Sequence, residues 1–177
     1  MKDKKAQQEQ LDSVRGEIDR LDEKIQQLIS ERARLAFRVR QSKDSSNEAV
    51  DYFRPEREAQ VLRAVLERNE GPLSDSEMLR LFREIMSACL AQQEPLKVAY
   101  LGPEGTFTQA AAIKHFGHAA ICVPHSTIES VFAQVESGEC NYGLVPVENS
   151  TEGMVSHTLD SFMDSPLKIS GEVELRI

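Results

Sequence analysis

The stretch LDSVRGEIDRLDEKIQQLISERARLAFRVRQSK, residues 11–43, decides the fold of the first half of the chain. Its apolar residues recur at spacings of three and four, the pattern of one helical face. No glycine or proline interrupts residues 17–54, so the pattern predicts one helix about 50 Å long. Because this length exceeds a compact domain of such size, we expect the helix to cross a partner. The members of this apolar stripe are Leu11, Val14, Ile18, Leu21, Ile25, Leu28, Leu35 and Val39.

Two cations interrupt the apolar stripe. Arg32 and Lys43 stand at positions where the spacing calls for apolar residues, within about 20° of each other around the helix. A buried cation left unpaired costs about 3–5 kcal/mol, so the two together indicate an anion. Arg15 lies on the flank of the stripe, about 26 Å from Arg32 along the axis. Both guanidinium groups can therefore reach one small ligand only if an antiparallel partner helix supplies one of them.

Two further helices are predicted before residue 94. One runs over 55–68, with Pro55 at a favoured first-turn position. The other starts at Ser74 or Asp75, where Glu77 completes a capping box, and continues to Gln93.

Polar residues also lie on the apolar faces of these two helices. Glu58 shares a face with Leu62 and Val65, and Gln93 follows the apolar positions of the third helix. We interpret Arg32, Lys43, Glu58 and Gln93 as one polar pocket in a helical core. Arg57, beside Glu58, fits a surface role as well as a supporting one. A purely structural account stays open, because a polar seam residue can fix helix register and an arginine can extend out of a core.

The second half has a different composition. Of the nine glycines and seven prolines, only Gly16, Gly71, Pro55 and Pro72 precede residue 95, so we place the domain boundary between residues 94 and 95. Strand and helix patterns then alternate, which predicts an α/β sheet with ligands at the carboxyl ends of its strands. The predicted strands are 97–101, 120–123, 141–147 and 167–177, and the predicted helices are 108–116, 126–136 and 154–163.

The turn LGPEGTFTQAA, residues 101–111, joins the first of these strands to a helix. A glycine-rich turn at a helix start can present backbone N–H groups to an anion. A second polar turn, VPVENSTEGMV, occupies residues 145–155. Together they predict half of an anion-binding cleft.

Composition excludes several classes of function. The net charge of −8 argues against binding to nucleic acid or to an anionic membrane surface. No apolar run reaches membrane-spanning length, and the first residues lack the apolar core of a signal peptide. Three cysteines without CxxC spacing indicate reduced thiols in the cytoplasm. His115 and His118 lack further likely ligands nearby, so no metal site is expected. No cofactor is expected either.

The quoted helix, with PEREAQVL (55–62) and RLFREIMSACLAQQ (80–93), resembles the all-helical chorismate mutases. VAYLGPEGTFTQAAAIKHFG (98–117) and YGLVPVENSTEGMVSHTLDSF (142–162) resemble the start of a prephenate dehydratase. Their order is similar to the bacterial bifunctional chorismate mutase–prephenate dehydratases of phenylalanine biosynthesis. The resemblance implies a three-helix mutase domain, intertwined as a homodimer, over residues 1–94. It implies part of a two-lobed, periplasmic-binding-protein-like dehydratase domain over residues 95–177.

The resemblance also implies roles for individual residues. Arg15 would be donated by the partner subunit, and Arg32 would bind a substrate carboxylate within its own subunit. Lys43 and Gln93 would bond the ether oxygen of chorismate, and Glu58 its ring hydroxyl. Catalysis is thus assigned to Arg32, Lys43, Glu58 and Gln93. The candidate substrate-binding residues are Arg15, Arg32, Lys43, Arg57, Glu58, Gln93, Thr106, Thr108, Asn149 and Ser150.

Two positions depart from the pattern of the family. Arg54 stands where some members have aspartate, and Cys89 where some have serine. The Thr-Arg-Phe motif and the regulatory domain of dehydratases have no counterpart here, so we expect a truncated chain without dehydratase activity. Thr106, Thr108, Asn149 and Ser150 resemble the residues of the prephenate cleft in the dehydratase family, and they also fit ordinary turn and capping chemistry. The alternative function is a non-enzymatic helical dimeriser carrying a lobe that senses a small acid.

Overall fold

The computed structural model describes residues 2–44, 54–92, 95–149 and 153–175. The chain divides into two compact units, residues 1–47 and 48–177. The first unit contains one long helix, α1, Lys2–Asp44. This helix confirms the predicted continuous helix and begins earlier than the apolar stripe does. Every residue of the stripe is between 47% and 64% exposed.

The second unit opens with two helices that pack against each other, α2 (Pro55–Glu67) and α3 (Asp75–Ala91). Both were predicted, and so was the capping box at the start of α3. The Ser74 hydroxyl accepts the Glu77 N–H at 3.3 Å, and the Glu77 carboxylate accepts the Ser74 N–H at 3.2 Å. These bonds satisfy two N–H groups that the helix leaves unpaired.

Residues 95–149 and 153–175 form an α/β lobe. A three-stranded parallel sheet has the order β2-β1-β3, with β1 at the centre. The strands are β1 (Lys97–Leu101), β2 (Ile121–His125) and β3 (Tyr142–Leu144). The helices are α4 (Phe107–Phe116), α5 (Ile128–Glu136) and α6 (Ser156–Asp164). A small antiparallel pair, β4 (Glu148–Asn149) and β5 (Gly153–Met154), precedes α6.

The lobe has a core on each face of its sheet. Val98 and Ala99, both fully buried, point to opposite faces because side chains alternate along a strand. One cluster contains Leu96, Val98, Ala112 and Phe116, with Leu90 of α3 packed against it. The other contains Ala99, Val131 and Cys140. Cys89 is 3% exposed, and all three cysteines are free thiols.

One predicted strand is wrong. Residues 165–175 have no regular secondary structure, although apolar and polar residues alternate over 167–175. In the described part of the chain they join neither sheet. The backbone carbonyl of Glu174 instead accepts a hydrogen bond from the Lys114 ammonium at 2.7 Å. Alternation makes a segment suitable for a sheet, but a strand forms only where a neighbour supplies its hydrogen bonds.

Two other predicted elements differ in extent. The strand predicted over 141–147 is only three residues long, and the chain then turns into β4. Gly153 and Met154 pair with β4, so α6 begins at Ser156 rather than at Met154. No helix in the described ranges combines the length and apolar character that crossing a membrane requires.

Candidate functional site

The cations predicted on the first helix lie along α1. Arg15 forms an exposed ion pair with Asp12, Nη1 to Oδ1 3.5 Å, and its side chain is 68% exposed. Such a pair contributes little to stability and leaves the guanidinium accessible. Arg32 is partly buried. Lys43 belongs to the last turn of α1, but its side chain lies outside the described residues.

The carboxylate predicted on the second helix has a partner that the sequence reasoning missed. Glu58 is 16% exposed, and its Oε1 accepts a hydrogen bond from Nε of Arg83 on α3 at 3.3 Å. Burial raises the pKa of Glu58 above its usual value, and Arg83 counteracts part of that rise. Glu58 therefore faces the α2–α3 contact, as its spacing from Val65 predicts.

The signal for Arg83 is present in the sequence. Arg83 follows Leu79 by four residues and precedes Met86 by three and Leu90 by seven. It therefore interrupts an apolar helical face in the same way as Arg32. All four of these α3 residues are partly buried.

The remaining mutase candidates are described only in part. Arg57 is exposed and donates from Nη1 to Oε1 of Gln60 at 3.3 Å, which matches a surface residue. Gln93 lies outside the described residues. The pocket predicted from Arg32, Lys43, Glu58 and Gln93 involves both units, so its assembly stays a prediction.

The glycine-rich turn of the lobe uses much of its own hydrogen-bonding capacity. The Thr106 hydroxyl caps α4 by accepting the Gln109 N–H, and it donates to the Pro103 carbonyl at 2.9 Å. The Gly105 N–H donates to the Gln109 side chain at 2.6 Å, and the Gly102 N–H to the His125 carbonyl at 2.8 Å. These N–H groups hold the turn together, so fewer of them face an anion than the sequence pattern suggests.

The other lobe candidates lie on nearby elements. Thr108 is partly buried in the first turn of α4. Asn149 is exposed in β4 and pairs with Gly153 of β5. Ser150 lies outside the described residues. Their assignment to a prephenate cleft stays a prediction.

α3 is joined to the lobe at the end of α4. Gly117 closes α4 with a φ of +80°, and a Cβ built there would lie 2.4 Å from the Ser87 Cβ. Beside this contact, the His118 ring nitrogen Nδ1 lies 2.8 Å from the Glu84 carboxylate. Burial tends to raise the pKa of Glu84, but the hydrogen bonds and charge of His118 outweigh it and keep the pKa below its usual value.

A cavity of about 530 Å³ opens next to this joint. Arg83 reaches it from α3, and α4 and the segment after α6 form its other walls. The lining residues are Arg83, Lys114, His115, Glu172, Val173, Glu174 and Leu175.

Comparison with known proteins matches each half of the chain to an enzyme family. Residues 14–94 match the family model of chorismate mutase type II, and residues 98–177 that of prephenate dehydratase. The helical first half thus resembles one class of enzyme and the α/β lobe another. Over nearly its whole length, the chain is similar to proteins named bifunctional chorismate mutase/prephenate dehydratase.

Three relatives illustrate this similarity, and each is named bifunctional chorismate mutase/prephenate dehydratase. The protein of Pseudomonas aeruginosa is 59% identical over 175 residues, which cover 97% of this chain and 48% of the relative. That of Stutzerimonas stutzeri is 60% identical over 96% of this chain and 47% of the relative. The protein of Neisseria gonorrhoeae is 52% identical over 92% of this chain and 44% of the relative. The chain thus spans about half the length of these curated relatives.

Proposed function

We propose that this chain converts chorismate to prephenate with its helical residues and carries part of a prephenate dehydratase in its lobe. The observation that carries the proposal is Glu58, a carboxylate 16% exposed on an apolar helical face. A helix pair held together by packing alone gains nothing from burying it, since burial of a charge opposes folding. The match of residues 14–94 to chorismate mutases supplies the substrate.

The proposed chemistry follows from the reaction. The rearrangement of chorismate is unimolecular, so it requires no nucleophile. Arg32 and a partner's Arg15 would bind the two carboxylates and hold the dianion in its reactive conformer, which removes rotational freedom before the bond changes. Lys43 and Gln93 would donate to the ether oxygen, where negative charge grows as the bond breaks. Glu58 would accept the ring hydroxyl.

The proposed assembly is a homodimer that shares each site. Its support is geometric: α1 is a single helix, and Arg15 and Arg32 lie 17 positions apart on it, about 26 Å along the axis. One small dianion cannot span that distance. A two-fold partner with an antiparallel α1 would bring its Arg15 to the Arg32 of this chain. The exposed stripe of α1 supplies an apolar surface for that contact.

The lobe is proposed to contribute Thr106, Thr108, Asn149 and Ser150 to a prephenate site. The match of residues 98–177 to prephenate dehydratases favours this assignment. A cytoplasmic location belongs to the same proposal, since both activities named for the relatives are biosynthetic.

The test is direct. Protein treated with EDTA is mixed with chorismate, and the loss of ultraviolet absorbance is followed. We expect turnover, and we expect Arg32→Ala to lower it by orders of magnitude while Arg34→Ala, an exposed arginine of the same helix, leaves it unchanged. Unchanged chorismate would leave the non-enzymatic dimeriser with an acid-sensing lobe as the better account.

Subunit exchange tests the shared site. Arg15→Ala and Arg32→Ala are mixed in equal amounts, partly unfolded and refolded. A mixed dimer has one site with both arginines and one with neither, so about 25% of wild-type activity should return on random pairing. Mixtures as inactive as either parent, with mixed dimers verified by sizing of tagged chains, would exclude donation of Arg15.

A further inference from the structure

We propose that Arg83 is a positioning residue for the mutase reaction, holding Glu58 in the orientation that accepts the ring hydroxyl of the substrate. The inference rests on the proposed function, in which Glu58 contacts that hydroxyl. The geometry that carries it is the hydrogen bond from Nε of Arg83 to Oε1 of Glu58, 3.3 Å long, between α3 and α2. Both side chains are largely buried, at 26% and 16% exposed.

The bond constrains one oxygen of the carboxylate and leaves the other available. Arg83 contacts Oε1, so Oε2 can accept a hydroxyl from a ligand. A charge-assisted hydrogen bond in a partly buried place is screened less by solvent, and it is therefore stronger than the same bond in water. Arg83 therefore holds the rotamer of the carboxylate and favours its ionised form, which burial disfavours.

Among the described residues, Arg83 is the charged group that lowers the pKa of Glu58. Burial lowers the pKa of His115 on α4, and the charge of Arg83 lowers it further. Both effects favour the neutral form of the His115 ring. The charged residues that share the cavity with Arg83 are Lys114, Glu172 and Glu174.

The position of Arg83 also ties it to the lobe. α3 is fixed by the contact of Ser87 with Gly117 one helical turn further on, and by the bond of Glu84 to His118 next to it. Because both neighbours of Arg83 along the helix are held by α4 and the residues that follow it, the arginine approaches Glu58 from a rigid support. Placement on a rigid element is what a positioning residue requires.

Three variants of Arg83 separate positioning from simple packing. Arg83→Met removes charge and hydrogen bond, Arg83→Gln keeps a donor without charge, and Arg83→Lys keeps the charge. The hydroxyl-accepting form of Glu58 is the carboxylate, so mutase activity falls as pH drops through its pKa. Without Arg83 this pKa rises, and the acid limb of kcat/KM should move up by about one pH unit, about tenfold in rate on that limb. Lysine should recover most of the shift, and glutamine little of it.

Arg63→Met is the matched control. Arg63 is an exposed arginine of α2 that bonds the Ala59 carbonyl at 3.3 Å, so its loss should not move the limb. Circular dichroism and thermal melting show whether each variant is folded. If Arg83→Met does not fold, Arg83→Gln takes its place as the variant without the charge. A lower melting temperature with an unmoved acid limb would overturn the proposal, because packing alone explains that result.

A second readout separates this inference from the proposed function. Carbon-13 labelling of glutamate, assigned through Glu58→Gln, gives the pKa of Glu58 without any substrate. A higher pKa in Arg83→Met than in the wild type supports the electrostatic contact even if no variant consumes chorismate; the proposed function then fails and the contact between Arg83 and Glu58 stands. An identical pKa in both proteins overturns the role of Arg83 whatever the activity.

Discussion

α1 and the α/β lobe handle their apolar residues in opposite ways. The stripe of α1 is about half exposed along its whole length, whereas Val98, Ala99 and Tyr100 of β1 are fully buried. The lobe closes its core with its own helices and with Leu90 of α3, all from the same chain, so its stability should not depend on protein concentration. The stripe requires apolar surface beyond α1 itself, and if a second chain supplies it, the stability of α1 becomes concentration-dependent. One sequence therefore combines a lobe whose core is closed within the chain and a helix whose apolar stripe stays about half exposed.

The largest effect is expected from charges on the stripe. Leu21 and Leu28 are 56% and 64% exposed, and replacing both by aspartate would place unpaired carboxylates in the proposed dimer contact. Each of these carboxylates costs about 3–5 kcal/mol if it is buried. The cost of one such charge corresponds to more than about a hundredfold, so dimer association and mutase activity should each fall at least that far. Sedimentation and the chorismate assay measure the two losses. Gln27→Asp, on the polar face, is the control; a dimeric, active double variant would remove the difference between the two regions.

The second effect concerns the joint between α3 and the lobe. In Gly117→Ala the new methyl group meets Ser87 at a backbone conformation that disfavours side chains, so unfolding free energy should fall by about 2–4 kcal/mol. Gly138 has a similar φ of +76° with nothing near its Cβ position. Gly138→Ala therefore measures the backbone cost alone. Urea titrations compare the two, and equal losses would mean that the contact with Ser87 contributes nothing.

A third, smaller effect compares the two kinds of core directly. Val131 is 1% exposed in the lobe and Val14 is 49% exposed on α1. Val131→Ala should lower the unfolding free energy by about 1–3 kcal/mol at any protein concentration, because it removes buried methyl groups and leaves a cavity in a closed core. Val14→Ala should matter only in proportion to dimer formation. Thermal melts over a hundredfold range of concentration distinguish them, and a concentration-dependent loss for Val131 would break the comparison.

The smallest effect is a pH dependence at Glu58. Its pKa is raised because burial outweighs the contact with Arg83, so the folded state binds the proton more tightly than the unfolded chain. Its stabilising contribution is complete below the unfolded pKa and is lost as pH rises through the folded pKa. Glu58→Gln should therefore gain stability relative to wild type between pH 4 and 7, by less than about 1 kcal/mol. Urea midpoints at both pH values measure this, with exposed Glu67→Gln as control; a relative loss would mean that Arg83 dominates.

Local patterns were sufficient for most of the elements. Spacing of three and four predicts α1, α2 and α3, and the Ser74–Glu77 pair predicts where α3 begins, since these signals lie within one helical turn. The segment 167–175 shows the limit of this reasoning. Its alternation is that of a strand, but whether it pairs depends on a neighbouring edge that no local pattern describes.

The residues of the candidate site could be predicted from the sequence about as well as the helices and strands could. Glu58 was found because it breaks an apolar face, and Arg83 could have been found by the same test. The hydrogen bond from the Gly105 N–H to the Gln109 side chain could not be predicted, because it depends on the rotamer of that one side chain. Nor does any pattern indicate that Ser87 and Gly117 meet, since their contact crosses the predicted boundary at residues 94 and 95.

That last contact has a consequence for inheritance. α3 matches one family and the lobe another, so recombination between related genes at their boundary would look harmless. A chimera of this kind would place the residue that replaces Ser87 beside position 117, where a Cβ built on the glycine lies 2.4 Å from the Ser87 Cβ. Ser87 and Gly117 should therefore be exchanged together, because the close approach of α3 to the end of α4 involves both residues.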